Sequence, residues 1–467
     1  MAFQDLMVSV SGVRGRVGEA LTPEIVARFA AGFAAWSLGR GHSREIVVGR
    51  DSRVSGPMFH HAVTAALQSV GAAMIDLGVV PTPTVQLEVE RRHAAGGLAI
   101  TASHNPIDWN ALKFIGASGL FLDAREAASM RTFVDRGFAR ASWDQLGTVE
   151  SDAAAVQRHI DRILGLPFID VAAIRQRRLL VALDTCHGAG AVIMPQLLER
   201  LGCEVVSINL TPDGRFHRPP EPVAENLGEL GDLVRRSGAA VGLATDPDVD
   251  RLALVDETGR AIGEDYTLAL ACRVVLRRQR GPVVINLSTS RIVEDVAAEF
   301  GSTVLRAPVG EVNVAVRMRD EGAVIGGEGN GGVILPALHL GRDAPLAAAL
   351  TLQLLVDGAE GGPGGARPPG ASLSSVVAQY PQYRIVKDKL ERPAGTLEAV
   401  YEALRSDFPD AVVDTQDGLR LTWPDRWVHV RPSGTEPIVR VIAEAPSDRE
   451  ARDLISRCRA PLDALAA

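Results

Sequence analysis

The chain has 467 residues, and at roughly 150 residues per domain that length predicts some three domains. Its 57 acidic and 49 basic residues leave a net charge of −8, which excludes a sequence-independent grip on a nucleic-acid backbone. With 46% hydrophobic and 23% charged residues the composition is that of a soluble protein with sizeable cores, and no apolar run approaches the roughly 18 residues of a membrane span.

In chain order, the opening segment MAFQDLMVSVSG carries Asp5 and no basic residue, so a secretory signal is not expected. The loop SGVRGRVGE (11–19) sets Arg14 and Arg16 among glycines. A helix follows. Thr22 suits its N-cap, Pro23 its first turn, and Glu24 the positive end of its dipole. Ile25, Phe29, Phe33 and Trp36 then recur at helical spacing, and Gly39 or Gly41 ends the helix. That stripe is a core face and not a ligand site. The four cysteines (Cys186, Cys203, Cys272 and Cys458) never form CxxC, which excludes a thiolate zinc cluster and argues against a disulfide framework. The expectation is a cytoplasmic multidomain enzyme.

A pattern of organisation then repeats. Apolar runs ending in a small polar loop occur as EIVVGRDSR (45–53), LLVALDTCHGAG (179–190) and VVINLSTSR (283–291). Each precedes a helix-like stretch and a second run opened by glycine: GAAMIDLG (71–78), GCEVVSIN (202–209) and GSTVLRAPVG (301–310). Third runs follow as GGLAITASHNP (96–106), AAVGLATDPDVDR (239–251) and GAVIGGEGNGG (322–332). Short β-branched runs alternating with helical stretches predict βαβ units. A Gly- and Pro-rich stretch (357–371) reads as a flexible connection to a final segment containing VHVRPSGTEPIVRVIAEA (428–445). The fold class expected is therefore α/β, with three tandem similar α/β domains (1–150, 151–255, 256–368) and a smaller C-terminal α+β domain (369–467).

Open α/β sheets place ligands at loops beyond the strand ends, so those loops are where chemistry is sought. In TASHNP, Ser103 leaves a strand beside His104 and Asn105, a setting for an exposed nucleophile or for a plain turn. Ser–His adjacency alone makes no triad. In TDPDVDR, alternation in an extended strand would throw Asp246, Asp248 and Asp250 to one side. Three adjacent like charges call for a cation, and hard oxygen ligands favour magnesium or calcium. The glycine and terminal Glu of an EF-hand are absent, and Arg251 follows directly, where it could hold a phosphate. In GGEGNGG, the glycines permit close approach, while Glu328 and Asn330 supply groups suited to sugar hydroxyls. In RPSGTEP, Arg431, Ser433, Gly434 and Thr435 offer a phosphate cradle without the P-loop signature. With a phosphate site implied, Arg14 becomes a candidate clamp.

Together SGVRG, GRDSR, TASHNP, DPDVDR, the GEGNGG loop and RPSGTEP resemble, in family order from Ser11 to Pro437, the α-D-phosphohexomutase superfamily. That superfamily includes phosphoglucosamine mutase and phosphomannomutase/phosphoglucomutase. The resemblance implies a central cleft between four domains and a phosphoserine at Ser103. It also implies Mg²⁺ held by Asp246, Asp248 and Asp250 with the Ser103 phosphate. Lys113 and His104 become acid/base candidates, and Arg14 and Arg251 partners of the phosphoryl group. Glu328 and Asn330 would select the sugar, and Arg431, Ser433, Gly434 and Thr435 would grip the substrate phosphate. A bisphosphorylated hexose is the expected activator, hexose phosphates the partners, and a monomer or homodimer the expected state.

Two departures stand out. Asn330 and Gly332 replace the serine and histidine of the commoner Glu-x-Ser-Gly-His loop, and Glu311 lies where some relatives carry a substrate-contacting histidine. GGEGNGG with PVGEVNV (308–314) resembles the archaeal-type phosphoglucosamine mutase branch. Phosphomannomutase/phosphoglucomutase activity is the alternative. A phosphatase using the same loops and a non-catalytic sugar-phosphate sensor are the readings of other classes.

Overall fold

A computed structural model of the chain describes residues 6–10, 12–41, 43–357, 372–391, 396–433 and 438–466. The helix expected after Thr22 runs Pro23–Leu38, with Thr22 extended at its cap and Gly39 after its last turn. Ile25, Phe29, Phe33 and Trp36 are buried, as the spacing predicts. The Thr22 side chain makes no capping bond, so Pro23, which has no N–H to satisfy, carries the start signal.

The three tandem units share one strand plan. In the first, parallel strands Glu45–Arg50, Ala73–Val79 and Gly96–Ile100 lie with the earliest strand in the middle. Trp109–Gly116 then returns antiparallel beside the third. The second repeats this with Leu180–Asp184, Glu204–Ile208, Val241–Thr245 and antiparallel Leu252–Val255. The third does so with Val283–Asn286, Val304–Ala307, Ile325–Glu328 and antiparallel Gly332–Ile334. In every unit the chemically loaded loop joins the third parallel strand to the antiparallel return. Those loops are residues 101–108, 246–251 and 329–331.

The first sheet is wider. Met7–Ser9 and Gly12–Arg16 form a hairpin that pairs with Trp109–Gly116, setting Arg14 opposite Ala111 at the root of the serine loop. The last unit is a five-stranded antiparallel sheet bearing helices Glu398–Asp407 and Asp448–Ala466, an α+β layer with its own core around Leu404, Val430, Val441 and Cys458.

One core runs through the first three units, joining Val85, Ile193, Ile285 and Leu350. Its axis is the helix Ala344–Asp357, buried at every position, which explains why APLAAALTLQLLVD shows no polar face. The Gly- and Pro-rich stretch 358–371 lies outside the described residues. Beyond it, Leu373, Val376 and Tyr380 pack into that same shared core. The four cysteines are free, and burial pushes the Cys186, Cys203 and Cys458 thiols up to about 12. No described helix is long and apolar enough to cross a membrane.

Candidate active site

The serine loop is held by a buried arginine. Arg53 donates from Nη1 to the carbonyls of Pro106 (2.6 Å) and Trp109 (2.9 Å), and from Nη2 to those of Ser103 (2.6 Å) and Asn105 (2.7 Å). Its Nε donates to Asp51 Oδ2 at 3.1 Å. One guanidinium thus satisfies loop carbonyls that have no neighbouring strand. Asp51 Oδ2 also accepts the Thr101 hydroxyl (2.6 Å), and Thr101 Oγ1 accepts the Ser103 N–H (2.9 Å). Fixed from both sides, Ser103 takes a left-handed φ of 49°, uncommon for a residue with a Cβ. Its hydroxyl donates to Asp246 Oδ2 at 2.7 Å, and His104 Nδ1 lies 3.3 Å from Ser103 Oγ. Arg14 Nη1 donates to Asn105 Oδ1 at 3.1 Å. The positive charge of Arg251, then burial, then Arg14 hold the His104 pKa well below its ordinary value.

The expected gathering of the aspartates by strand alternation is corrected. The strand Val241–Thr245 ends before Asp246, and residues 246–251 form a turn in which Val249 has φ 65°. Val249 is fully buried in the shared core, and that packing holds a β-branched residue in a backbone region it ordinarily avoids. The turn brings ligand oxygens of Asp246, Asp248 and Asp250 within 4.8 Å of one another. Burial, then the charges of Asp248 and Asp250, push the Asp246 carboxyl well up. Burial also disfavours ionised Asp248, but Lys113 and the hydrogen bonds it receives outweigh burial and hold its pKa down. Lys113 Nζ donates to Asp248 Oδ2 at 2.7 Å and lies 3.7 Å from Asp250 Oδ2. The Thr82 hydroxyl donates to that same Asp248 oxygen at 2.7 Å.

Asp248 Oδ1 and Asp250 Oδ1 are buried without a hydrogen-bond partner among the described residues. Asp250 Oδ1 has only the Arg251 Nε charge 3.7 Å away, and buried carboxylate oxygens without hydrogen bonds are costly. With Asp246 and the Ser103 hydroxyl they form a hard, all-oxygen donor set that fits Mg²⁺. Arg251 closes the turn: its N–H donates to Asp246 Oδ1 (3.3 Å) and its Nη1 to Glu221 Oε1 (3.4 Å). Its Nε is buried without a hydrogen bond, which suits it to a phosphate oxygen.

Glu328 ends its strand almost fully buried. Its Oε1 accepts from Asn286 Nδ2 (2.9 Å) and the Gly310 N–H (3.0 Å), and its Oε2 accepts from Arg342 Nη1 (2.8 Å). The fourth acceptor position is held only by Asn330 Nδ2 at 3.5 Å. That weak contact is where a sugar hydroxyl can compete. Asn330 Oδ1 meanwhile accepts the Gly332 N–H at 3.2 Å. Glu311 is buried against Arg342, whose Nε donates to its Oε2 at 3.0 Å.

Arg431 Nε donates to Asp417 Oδ2 at 2.8 Å, and the same oxygen accepts the Val309 N–H at 3.1 Å. Since the next residue, Gly310, bonds Glu328, the RPSGTEP loop of the last unit is wired to the GGEGNGG loop of the third. A second contact between these units joins Ser288 Oγ and His429 Nδ1 at 2.9 Å. The Ser433 N–H donates to Ile438 at 2.8 Å, while Gly434 and Thr435 lie outside the described residues. Sequence reasoning missed Arg53, Thr82, Arg342 and Asp417. GRDSR was visible as a motif, but nothing in it announces that Arg53 faces four carbonyls; Arg342 and Asp417 sit in stretches without any motif.

Sequence profiles of the phosphoglucomutase/phosphomannomutase family match the chain in four consecutive blocks. Alpha/beta/alpha domain I falls at 6–139, domain II at 157–259, domain III at 263–383 and the C-terminal domain at 385–460. A probable phosphoglucosamine mutase of Methanopyrus kandleri is 39% identical over 451 residues, spanning 95% of each chain. A phosphoglucomutase/phosphomannomutase of Thermococcus kodakarensis is 37% identical over 452 residues, again spanning 95% of each. Among solved structures, a phosphoglucomutase/phosphomannomutase family protein from Burkholderia thailandensis superposes with a TM-score of 0.84 at 25% identity, covering 98% of this chain and 97% of that one.

Proposed function

The chain belongs to the phosphoglucomutase/phosphomannomutase family, and we propose that its converging loops move a phosphoryl group between the 6- and 1-positions of a hexose through phospho-Ser103. It is a phosphohexomutase, an enzyme of phosphoryl transfer. The observation that carries the residue assignment is the 2.7 Å bond from Ser103 Oγ to Asp246 Oδ2, which joins the nucleophile loop of one unit to the carboxylate turn of the next.

In the forward half-reaction, phospho-Ser103 gives its phosphoryl group to the free sugar hydroxyl, which loses its proton as the Ser103 Oγ–P bond breaks. His104, 3.3 Å from Ser103 Oγ, and Lys113, bonded to Asp248, are the acid/base candidates: one of them in its neutral form takes the hydroxyl proton, and the Ser103 oxygen freed from the phosphoryl takes up a proton in turn. The bisphosphorylated sugar then turns over, and Ser103 takes back the other phosphoryl group. Asp246, Asp248, Asp250 and the Ser103 oxygens would hold Mg²⁺, which supplies neutralisation of the transferring charge. Arg14 and Arg251 bind oxygens of the same group, while Arg431 and Ser433, with Gly434 and Thr435, bind the phosphate that is not reacting. A bisphosphorylated hexose restores enzyme that has lost its phosphate.

The preferred sugar is assigned to glucosamine phosphate, with mannose and glucose phosphates behind it. Glu328 is a carboxylate with one weakly used acceptor position, which suits a hydroxyl or a protonated 2-amino group, and Asn330 beside it both donates and accepts. The Methanopyrus relative named a probable phosphoglucosamine mutase supports this choice. The test is kcat/KM for the three 6-phosphates at one activator concentration. A value for mannose phosphate about tenfold above that for glucosamine phosphate, some 1.4 kcal/mol, overturns the sugar and leaves the mutase.

A further inference from the structure

Arg342 is the densest charge junction of the cleft. Its guanidinium is almost fully buried and touches three carboxylates at once. Nη2 donates to Asp250 Oδ2 (2.6 Å), Nη1 to Glu328 Oε2 (2.8 Å) and Nε to Glu311 Oε2 (3.0 Å). Its own backbone N–H donates to Glu311 Oε1 at 3.2 Å. Every edge of the planar fork is used, a geometry a lysine ammonium cannot reproduce.

Two consequences follow from which oxygens are taken. At Asp250, Arg342 occupies Oδ2 and fixes the carboxylate so that Oδ1 is left without a hydrogen-bond partner beside Asp246 and Asp248. At Glu328, it occupies one position of Oε2 and leaves the other to the long 3.5 Å contact with Asn330. One side chain therefore bonds both a metal-turn carboxylate and the sugar-loop carboxylate, whose other oxygen is held by Asn286 and Gly310. Glycine at 332 is what admits it. A Cβ there would lie 2.2 Å from Arg342 Cδ and 2.9 Å from its Cγ, and the pinned guanidinium cannot swing aside cheaply.

We infer that Arg342 is a positioning residue that couples the metal turn to sugar selection by holding Asp250 and Glu328 in register. This rests on the assignment of those two carboxylates under the proposed function. Its Glu311 contact anchors the third edge of the fork, so that the arginine keeps one orientation whether or not sugar is bound. Groups that orient ligand side chains from behind typically change metal affinity by about 10–100-fold when altered.

The test compares wild-type chain with Arg342→Lys, which keeps the charge and loses the fork. Mn²⁺ binding is followed by electron paramagnetic resonance, with thermal melting as the check of folding. We expect Arg342→Lys to bind Mn²⁺ about tenfold more weakly. The ratio of kcat/KM between glucosamine 6-phosphate and mannose 6-phosphate should move at least about fivefold toward one. Gly332→Ala would press its methyl on Arg342 Cδ (2.2 Å) and less closely on Asn330 Oδ1 (3.1 Å), so its Mn²⁺ affinity, which should fall in the same direction, is the readout that decides the matter if Arg342→Lys does not fold. A lower melting temperature with Mn²⁺ affinity and sugar ratio unchanged would make Arg342 purely structural and overturn the inference. If the wild-type chain turns over none of the glucosamine, mannose and glucose 6-phosphates, the functional reading fails, and the Mn²⁺ titration still decides whether Arg342 orients Asp250.

Discussion

Ser103 donates its hydroxyl hydrogen to Asp246 Oδ2 across 2.7 Å, although 143 positions separate the two residues and they belong to different units. The contact is possible because both loops occupy the same place in their units, between the third parallel strand and the antiparallel return. Replacing Ser103 by alanine removes the hydroxyl proposed to carry the phosphoryl and leaves the loop framework of Arg53 intact. Turnover should fall at least about a thousandfold, with melting temperature nearly unchanged. A coupled isomerisation assay and a melting curve on the same preparation check both halves.

Asp248→Asn tests the metal turn. Asp248 presents one orphaned oxygen and one oxygen bonded to Lys113 and Thr82. Asparagine keeps the size and loses the charge, so Mg²⁺ should bind at least about 100-fold more weakly. Calorimetric titration of Mg²⁺ into wild-type and variant protein measures this directly; equal affinities would reduce the turn to an acidic loop.

Arg53→Met should be costly for stability as well as for rate. It leaves Asp51 buried without its cation and strips partners from the carbonyls of Ser103, Asn105, Pro106 and Trp109. Breaking a buried ion pair from one side typically costs about 3–5 kcal/mol. Denaturant unfolding should show a loss of that size, and catalysis should fall even where the variant remains folded.

Much of this was legible in the chain. The three runs of each unit became the three parallel strands, because β-branched runs opened by glycine leave few alternatives. Residue type singled out the serine loop and the carboxylate turn, which the fold brings within a hydrogen bond of each other, while Gly434 and Thr435 of the fourth loop lie outside the described residues. What stayed hidden was long-range. The antiparallel return Leu252–Val255 directly follows Arg251, without a turn signal to separate them. The gathering of the aspartates depends on the buried Val249 at positive φ, which no local pattern predicts. Arg53 and Arg342 look like any surface arginine until the fold surrounds them with acceptors.

Arg431→Ala should act on binding more than on chemistry. Arg431 reaches Asp417, which also accepts the Val309 N–H, so under the proposed function a substrate phosphate would compete with Asp417 for this arginine. Loss of a charge-assisted bond is worth about 1.5–3 kcal/mol, so KM should rise roughly 10- to 100-fold with a smaller change in kcat. Initial-rate kinetics separate the two.

Asp152 contributes to acid stability at the junction of the first two units. Burial disfavours its charge, but hydrogen bonds from Arg92 (2.7 Å) and Arg158 (2.6 Å) outweigh that and lower its pKa to about 2. A folded pKa below the unfolded value of 3.8 gives stability that is present above about pH 4 and lost as pH falls through about 2. Asp152→Asn should therefore cost about 1 kcal/mol at neutral pH, allowing for solvent screening, and the difference from wild type should vanish near pH 2. Melting curves across that range test the sign.

The most direct test of the phosphoserine account is the fate of one phosphoryl group. The enzyme is incubated with Mg²⁺, a mixture of glucosamine, mannose and glucose 6-phosphates and a catalytic amount of glucose 1,6-bisphosphate, then digested, and the Ser103 peptide is weighed while sugar monophosphates and inorganic phosphate are counted in the same sample. The account predicts phosphate on the Ser103 peptide, both hexose 6- and 1-phosphates in solution, and isomer formation far outrunning release of inorganic phosphate. An unmodified Ser103 in enzyme that is turning over, or inorganic phosphate released in step with sugar phosphate consumed, would contradict it.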